Sequence, residues 1–230
     1  MGGRGAVVTV PISPADATQR TNYSSFMNIN EPKSMREALG ERGKSISIAN
    51  SFMQSNPYYS KAYADFSMNC QRCVVAYEAR RRGYDVVAQP RHNNDKLAEV
   101  AYFNKDGSMN GRWQGAFKGA RTKSMADSTP EAVVKNINRT MREYGNGSRG
   151  VISILWKGGG GHVFNVENKG GSIFYVDAQT GHKYNGVNVI SLGKLNSIGL
   201  TRVDNLRFTS RVTNFVEQRG VRSGTKRGSK

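Results

Sequence analysis

The sequence predicts an α+β domain. Helix signals cluster in its first two thirds, strand signals follow, and one tight-turn signature joins two of the strands into a hairpin. A chain of 230 residues and 25.3 kDa can bury one well-packed core and still carry arms. With 37% hydrophobic and 22% charged residues the composition is globular, while 26 glycines and a mean hydropathy of -0.59 indicate long polar connections. No stretch of about 18 apolar residues is present, so no membrane partner is expected. Residues 6–12 are too short and too lightly flanked for the core of a signal peptide, and Ala6 stands where a myristoylation signal needs Ser or Thr.

Taken in order, residues 1–49 read as a flexible N-terminal arm, mixing Gly, Thr, Ser and Asn around Ala6-Val7-Val8-Thr9-Val10. Within it, Ser34-Met35-Arg36-Glu37 has the Ser-x-x-Glu pattern that opens a short helix, and Gly40 ends it. Asn56-Pro57-Tyr58-Tyr59 then breaks the chain. Asn69 is a favoured N-cap residue, and residues 70–82 contain neither Gly nor Pro before Gly83. Cys73, Val74, Ala76 and Tyr77 lie on one side of this helix, with Arg72, Arg80 and Arg81 elsewhere. A short strand over 84–88 is closed by Pro90, and Trp113 and Phe117, four apart, share a helix face. Ser128-Thr129-Pro130-Glu131 repeats the capping pattern ahead of an apolar stripe of Val133, Val134, Ile137, Met141 and Tyr144. Strands are expected over 151–156, 163–167, 173–179 and 187–192.

The hairpin turn Asn168-Lys169-Gly170-Gly171 carries the functional argument. With Lys169 and Gly170 as its two loop residues, every cross-strand pair sums to 339, which sets His162 directly opposite Asp177, Cβ atoms about 4.5–5.5 Å apart. The face they share would also carry Phe164, Val166, Ile173 and Tyr175, packed on the 70–82 helix through Val74 and Tyr77. A carboxylate fixes the tautomer and orientation of a histidine, as a general base requires. Cys70, at the first helical position, faces unpaired backbone N–H groups and the positive end of the helix dipole, which favour a nucleophilic thiolate; Cys73, one turn further in, is better placed for the core.

Blander readings compete for each of these residues. Two cysteines cannot build a disulfide scaffold, but they suit a buried helix face, and their spacing also matches a thioredoxin-type pair, although no strand of that fold leads into the helix. His162 and His182 are too far apart for the short second spacing of a zinc site, so no metal is expected. Gly158-Gly159-Gly160-Gly161 lacks the Gly-Lys-Ser/Thr ending of a phosphate loop. The conjunction of a helix-start Cys, a Gly-preceded His and an Asp across a hairpin favours chemistry over packing.

Charge defines a second class of reading. Thirty-four basic against 17 acidic residues give a net charge of +17. Residues 202–230 are the densest part, and the expected disordered basic tail, 218–230, suits non-specific contact with nucleic acid.

Asn69-Cys70-Gln71-Arg72-Cys73 with the helix after it, Gly161-His162-Val163-Phe164, and Val176-Asp177-Ala178-Gln179-Thr180-Gly181 together resemble the papain-fold toxin family of glutamine deamidase type, found in polymorphic toxins and phage head-associated proteins. The resemblance runs from Asn56-Pro57-Tyr58 to Val203-Asp204-Asn205-Leu206-Arg207-Phe208, so a papain-like catalytic domain is expected over 50–217. It implies a catalytic helix packed on an antiparallel sheet, with Cys70 as nucleophile, His162 as base and Asp177 as orienting acid. Asn69, Gln71 and Gln179 are auxiliary or oxyanion candidates, and no cofactor is required. It further implies a host protein substrate, a phage structural partner for the arm, and a virion-associated protein or one delivered into the host cytoplasm. Peptide cleavage and transamidation share the same thioester step and stay open, as does a nucleic-acid-binding or structural virion protein with an unused papain-like fold.

Overall fold

Ser34, whose hydroxyl accepts from Glu37 N–H, starts α1 (Met35–Leu39). In this computed structural model residues 34–61, 64–91, 102–103, 109–110, 112–190 and 195–219 are described; the expected arm before residue 34 and the basic tail beyond 219 lie outside the described residues. Two short helices follow, α2 (Ile48–Gln54), capped by Ser47, and α3 (Ala64–Ser67). The central helix, α4 (Cys70–Arg81), ends at Gly83, where φ is +99° and an added Cβ would lie 2.2 Å from the Gly43 carbonyl oxygen. Only glycine fits there.

The next strand, β1 (Val86–Ala88), is antiparallel to the last, β10 (Val216–Gln218), while β2 (Tyr102–Phe103) and β3 (Met109–Asn110) form a separate pair. A 3-10 turn over Arg112–Ala116 brings Trp113 edge-on to Phe117, ring centroids 6.0 Å apart, in place of the expected α-helical face. The second long helix, α5 (Pro130–Glu143), follows β4 (Lys123–Ser124). Its cap is Thr129, whose hydroxyl accepts from Ala132 N–H, one residue later than the Ser-x-x-Glu pattern places it, because Pro130 then falls at the position that lacks only an unneeded N–H.

The main sheet is antiparallel, in the order β4, β9 (Leu195–Arg202), β5 (Arg149–Trp156), β6 (Gly161–Lys169), β7 (Ser172–Asp177), β8 (His182–Tyr184). The strand expected over 187–192 is instead a helix, α6 (Gly186–Ile190); Asn185 Oδ1 accepts Val187 N–H, and Ile190 is buried with the α5 residues. A helix lies on each face of the sheet. Val163 and Val176 pack with Val74 and the rest of α4, whereas Phe164, Val166 and Tyr175 pack with Val133, Ile137 and Met141 of α5.

This corrects two expectations. Lys169 pairs with Ser172 and Val166 with Tyr175, so cross-strand pairs sum to 341. The loop is Gly170-Gly171, both at positive φ (59° and 85°), because a two-residue hairpin turn wants φ > 0 at both positions and Lys169 would be strained in one. The shift of two residues preserves side-chain parity, so the expected face is kept, but the β6–β7 ladder ends at Asn165 and Val176, and His162 and Asp177 are not a direct pair but meet beyond it through their side chains. Phe164, Val166 and Tyr175 on that face meet α5, not α4.

α4 is buried all round, including the arginines off its apolar side: Arg72 and Arg80 are 4% and 3% exposed. Its charges are paired. Glu78 accepts from Arg82 Nε at 2.7 Å and from Arg149 Nε at 2.7 Å, and Glu167 accepts from Arg81 Nη2 at 2.6 Å and from Tyr77 hydroxyl at 2.8 Å. Glu78→Ala should therefore cost about 3–5 kcal/mol, because it strands two largely buried guanidinium groups. Denaturant melts of the variant check this, and a loss below about 1 kcal/mol would mean the guanidinium groups re-solvate.

Candidate active site

Asp177 closes β7 and His162 is the second residue of β6, so both stand at the strand ends. His162 Nε2 lies 3.0 Å from Asp177 Oδ2, and Cys70 is a neighbour whose interaction helps raise the His162 pKa. With Nε2 committed to the carboxylate, Nδ1 is the ring nitrogen left for the sulfur. The His162 ring stacks on Phe164, centroids 6.0 Å apart, and is one-fifth exposed, while Asp177 and Cys70 are 2% and 5% exposed. The three residues expected to act together are thus brought near one another, although Cys70 and His162 stand 92 positions apart in the chain.

The electrostatics of the pair are one-sided. Burial alone would lower the His162 pKa, but the Asp177 charge, its hydrogen bond and the Cys70 hydrogen bond outweigh it and hold the imidazole proton well above the ordinary histidine range. Burial would raise the Asp177 pKa; the His162 charge and bond, Gln179 N–H on Oδ1 (2.9 Å) and Tyr184 hydroxyl on Oδ2 (3.0 Å) hold it below. The same carboxylate and burial push the Tyr184 hydroxyl up to about 12. A sulfur beside an imidazole that is itself held by a carboxylate is chemically able to support covalent acyl transfer.

Cys73 sits differently. Its Sγ donates to Asn69 Oδ1 at 3.1 Å, and burial, with the Cys70 and Asp177 charges, drives its pKa well up. Iodoacetamide should therefore label Cys70 and spare Cys73 in the folded protein near neutral pH, read by peptide mapping; preferential labelling of Cys73 would reverse the assignment.

Asn69 occupies the N-cap position but its side chain makes no capping bond. Its amide nitrogen donates to Asn56 Oδ1 and Gln89 carbonyl, both at 3.2 Å, and its oxygen serves Cys73. Gln71 Oε1 accepts the Trp113 backbone N–H at 3.1 Å. Gln179 binds Asp177 through its N–H and Asn56 through its carbonyl, and its buried Nε2 has no hydrogen-bond partner among the described residues.

Sequence reasoning missed Tyr184 and Asn56 as parts of the site. The tight turn Gln179-Thr180-Gly181 was the available signal for Tyr184, since a hairpin there folds residues 182–184 back along 175–177. Among the described residues no three His, Cys, Asp or Glu side chains converge on a metal position, and no helix is long and apolar enough to cross a membrane.

Helices packed on both faces of a six-stranded antiparallel sheet, with Cys70 at a helix start and His162 and Asp177 on the sheet, fit an α+β fold of papain-like class. Residues 68–182 match the family described as papain fold toxin 1, glutamine deamidase, and the chain belongs to that family. Comparison with curated proteins and with solved structures returns no match.

Proposed function

We propose that the protein is a cysteine-dependent deamidase of glutamine side chains in a host protein, acting as an effector through Cys70, His162 and Asp177. The observation that carries the reading is the contact of Cys70 with a His162 held by Asp177, in a chain of the glutamine deamidase family. The Cys70 thiolate attacks the carboxamide carbon. The oxyanion draws on the Cys70 backbone N–H, with Asn69 or Gln71 supplying the neighbouring amide, at a helix start where N–H groups lack intrahelical acceptors. His162 gives its proton to the departing nitrogen, ammonia leaves, and a thioester forms. Water, deprotonated by His162, then attacks the thioester, releasing a glutamate side chain and restoring the thiol.

The same side chains would serve a peptidase, and the two reactions differ in what leaves. Mass spectrometry of host-cell proteins exposed to the wild type and to Cys70→Ala separates them. An amide-to-acid mass change at a glutamine, seen only with the wild type, supports deamidation. Cleaved backbones would favour the peptidase reading, and identical protein profiles would count against both.

A further inference from the structure

Nothing in the sheet ladder ties the start of α4 to the turn after β7, yet the site needs Cys70 and Asp177 at a fixed spacing. The side chain that spans this gap is Asn56, 4% exposed, in the break between α2 and α3. Its Nδ2 lies 2.8 Å from the Phe66 carbonyl, 2.8 Å from the Gln179 carbonyl and 3.3 Å from Asn69 Oδ1. Asn69 Nδ2 returns a bond to Asn56 Oδ1 at 3.2 Å. These partners lie in α3, immediately before Cys70, and two residues after Asp177.

We infer that Asn56 is a positioning residue for the reaction: its carboxamide pins the turn carrying Asp177 to the helix start carrying Cys70. The inference rests on the reading of the site given above, and Asn56 lies outside the residues 68–182 that match the family. A carboxamide suits the place because it is at once donor and acceptor. Two carbonyls take its hydrogens while its oxygen accepts from Asn69. Leucine would match its size and strand both carbonyls; aspartate would set a charge against them. The Asn69 bond reaches further, since Asn69 Oδ1 also receives the Cys73 thiol, which orients that side chain inward. Losing Asn56 leaves the His162–Asp177 bond within the sheet intact and loosens Cys70 against it.

The alkylation rate of Cys70 reads that looseness without any knowledge of the natural substrate. A thiol that can pass its proton to a neighbouring imidazole is alkylated faster at acid pH than one that cannot, and that advantage falls when the two are loosened. The titratable groups around the pair among the described residues are Asp177 on β7, Tyr184 on β8, Tyr59 between α2 and α3, and Cys73 and Arg72 on α4. Asn56→Ala and Asn56→Ser add no titratable group to this set.

The test is the rate of Cys70 alkylation by iodoacetamide from about pH 5 to pH 9 in the full chain, resolved from Cys73 by peptide mapping. The wild type sets the reference rate at about pH 6. Asn56→Ala should lose about tenfold there and keep its rate at about pH 9, and Asn56→Asp should lose at least as much. Asn56→Ser, which keeps one donor, should fall between, and provides a milder variant should the others not fold. Ser55→Ala removes a neighbouring buried hydroxyl that bonds Ser51 carbonyl at 2.7 Å, and should lower Tm while leaving the profile of the wild type. An unchanged profile in a folded Asn56 variant, or an equal fall at every pH, overturns the positioning role. A wild type inert at acid pH overturns the reading of the site itself, a result distinct from the first.

Discussion

Asp177→Asn is expected to lower glutamine turnover by about 10³–10⁴-fold while the protein stays folded, the size of effect seen where an orienting carboxylate becomes an amide. Asp177 accepts three hydrogen bonds, from His162 Nε2, Tyr184 hydroxyl and Gln179 N–H, on its two oxygens. An asparagine offers one oxygen and one donor, so at least one of these groups faces an N–H it cannot bond. The charge is lost as well. Since Asp177 is what raises His162 against the opposing effect of burial, the variant imidazole gives up its proton at lower pH. The reaction needs that proton for the departing nitrogen, so the alkaline limb of kcat should move toward acid. Initial rates on a glutamine peptide across pH, with thermal melts alongside, check both points. Wild-type turnover in a folded Asp177→Asn would remove the carboxylate from the mechanism.

Cys70→Ser should cost more, about 10⁴–10⁶-fold, because the hydroxyl is a far weaker nucleophile and the remaining groups act only through it. Cys73→Ser should cost less than about tenfold, since a hydroxyl can still donate to Asn69 Oδ1 where the thiol does now. Its penalty belongs on stability, of order 1 kcal/mol for exchanging one hydrogen-bonded buried group for another. Parallel rates for the two variants decide between the cysteines: a dead Cys73→Ser beside an active Cys70→Ser would exchange their roles.

Much of this site was legible in the order of residues, because its signals are local. A capping residue before Cys70, a Gly-free run and Gly83 define the central helix wherever it packs. A Gly-preceded His and an Asp flanking a turn fall on adjacent strands in any hairpin closed near residue 170. Parity along the strands then keeps His162 and Asp177 on one face whether pairs sum to 339 or 341, which is why the expected neighbours survived a wrong register.

What the sequence determined by itself was therefore the set of short-range choices: where α1 and α4 begin, which residues alternate along β5, β6 and β7, and which three side chains stand near one another at the strand ends. Tertiary structure decided whatever depends on partners distant in the chain. It chose the Gly170-Gly171 turn over the Lys169 alternative, made a helix of 186–190 under Asn185, and turned Phe164 and Tyr175 toward α5. It buried Arg80 and Glu78 in ion pairs that periodicity assigns to solvent, because a helix covered on every side must pair its charges inside. It also drew the Asn69 side chain away from its own helix toward Asn56 and Cys73. Hydrogen bonds between groups far apart in sequence leave no period in it, and they form only after packing has set the distances at which donors and acceptors meet.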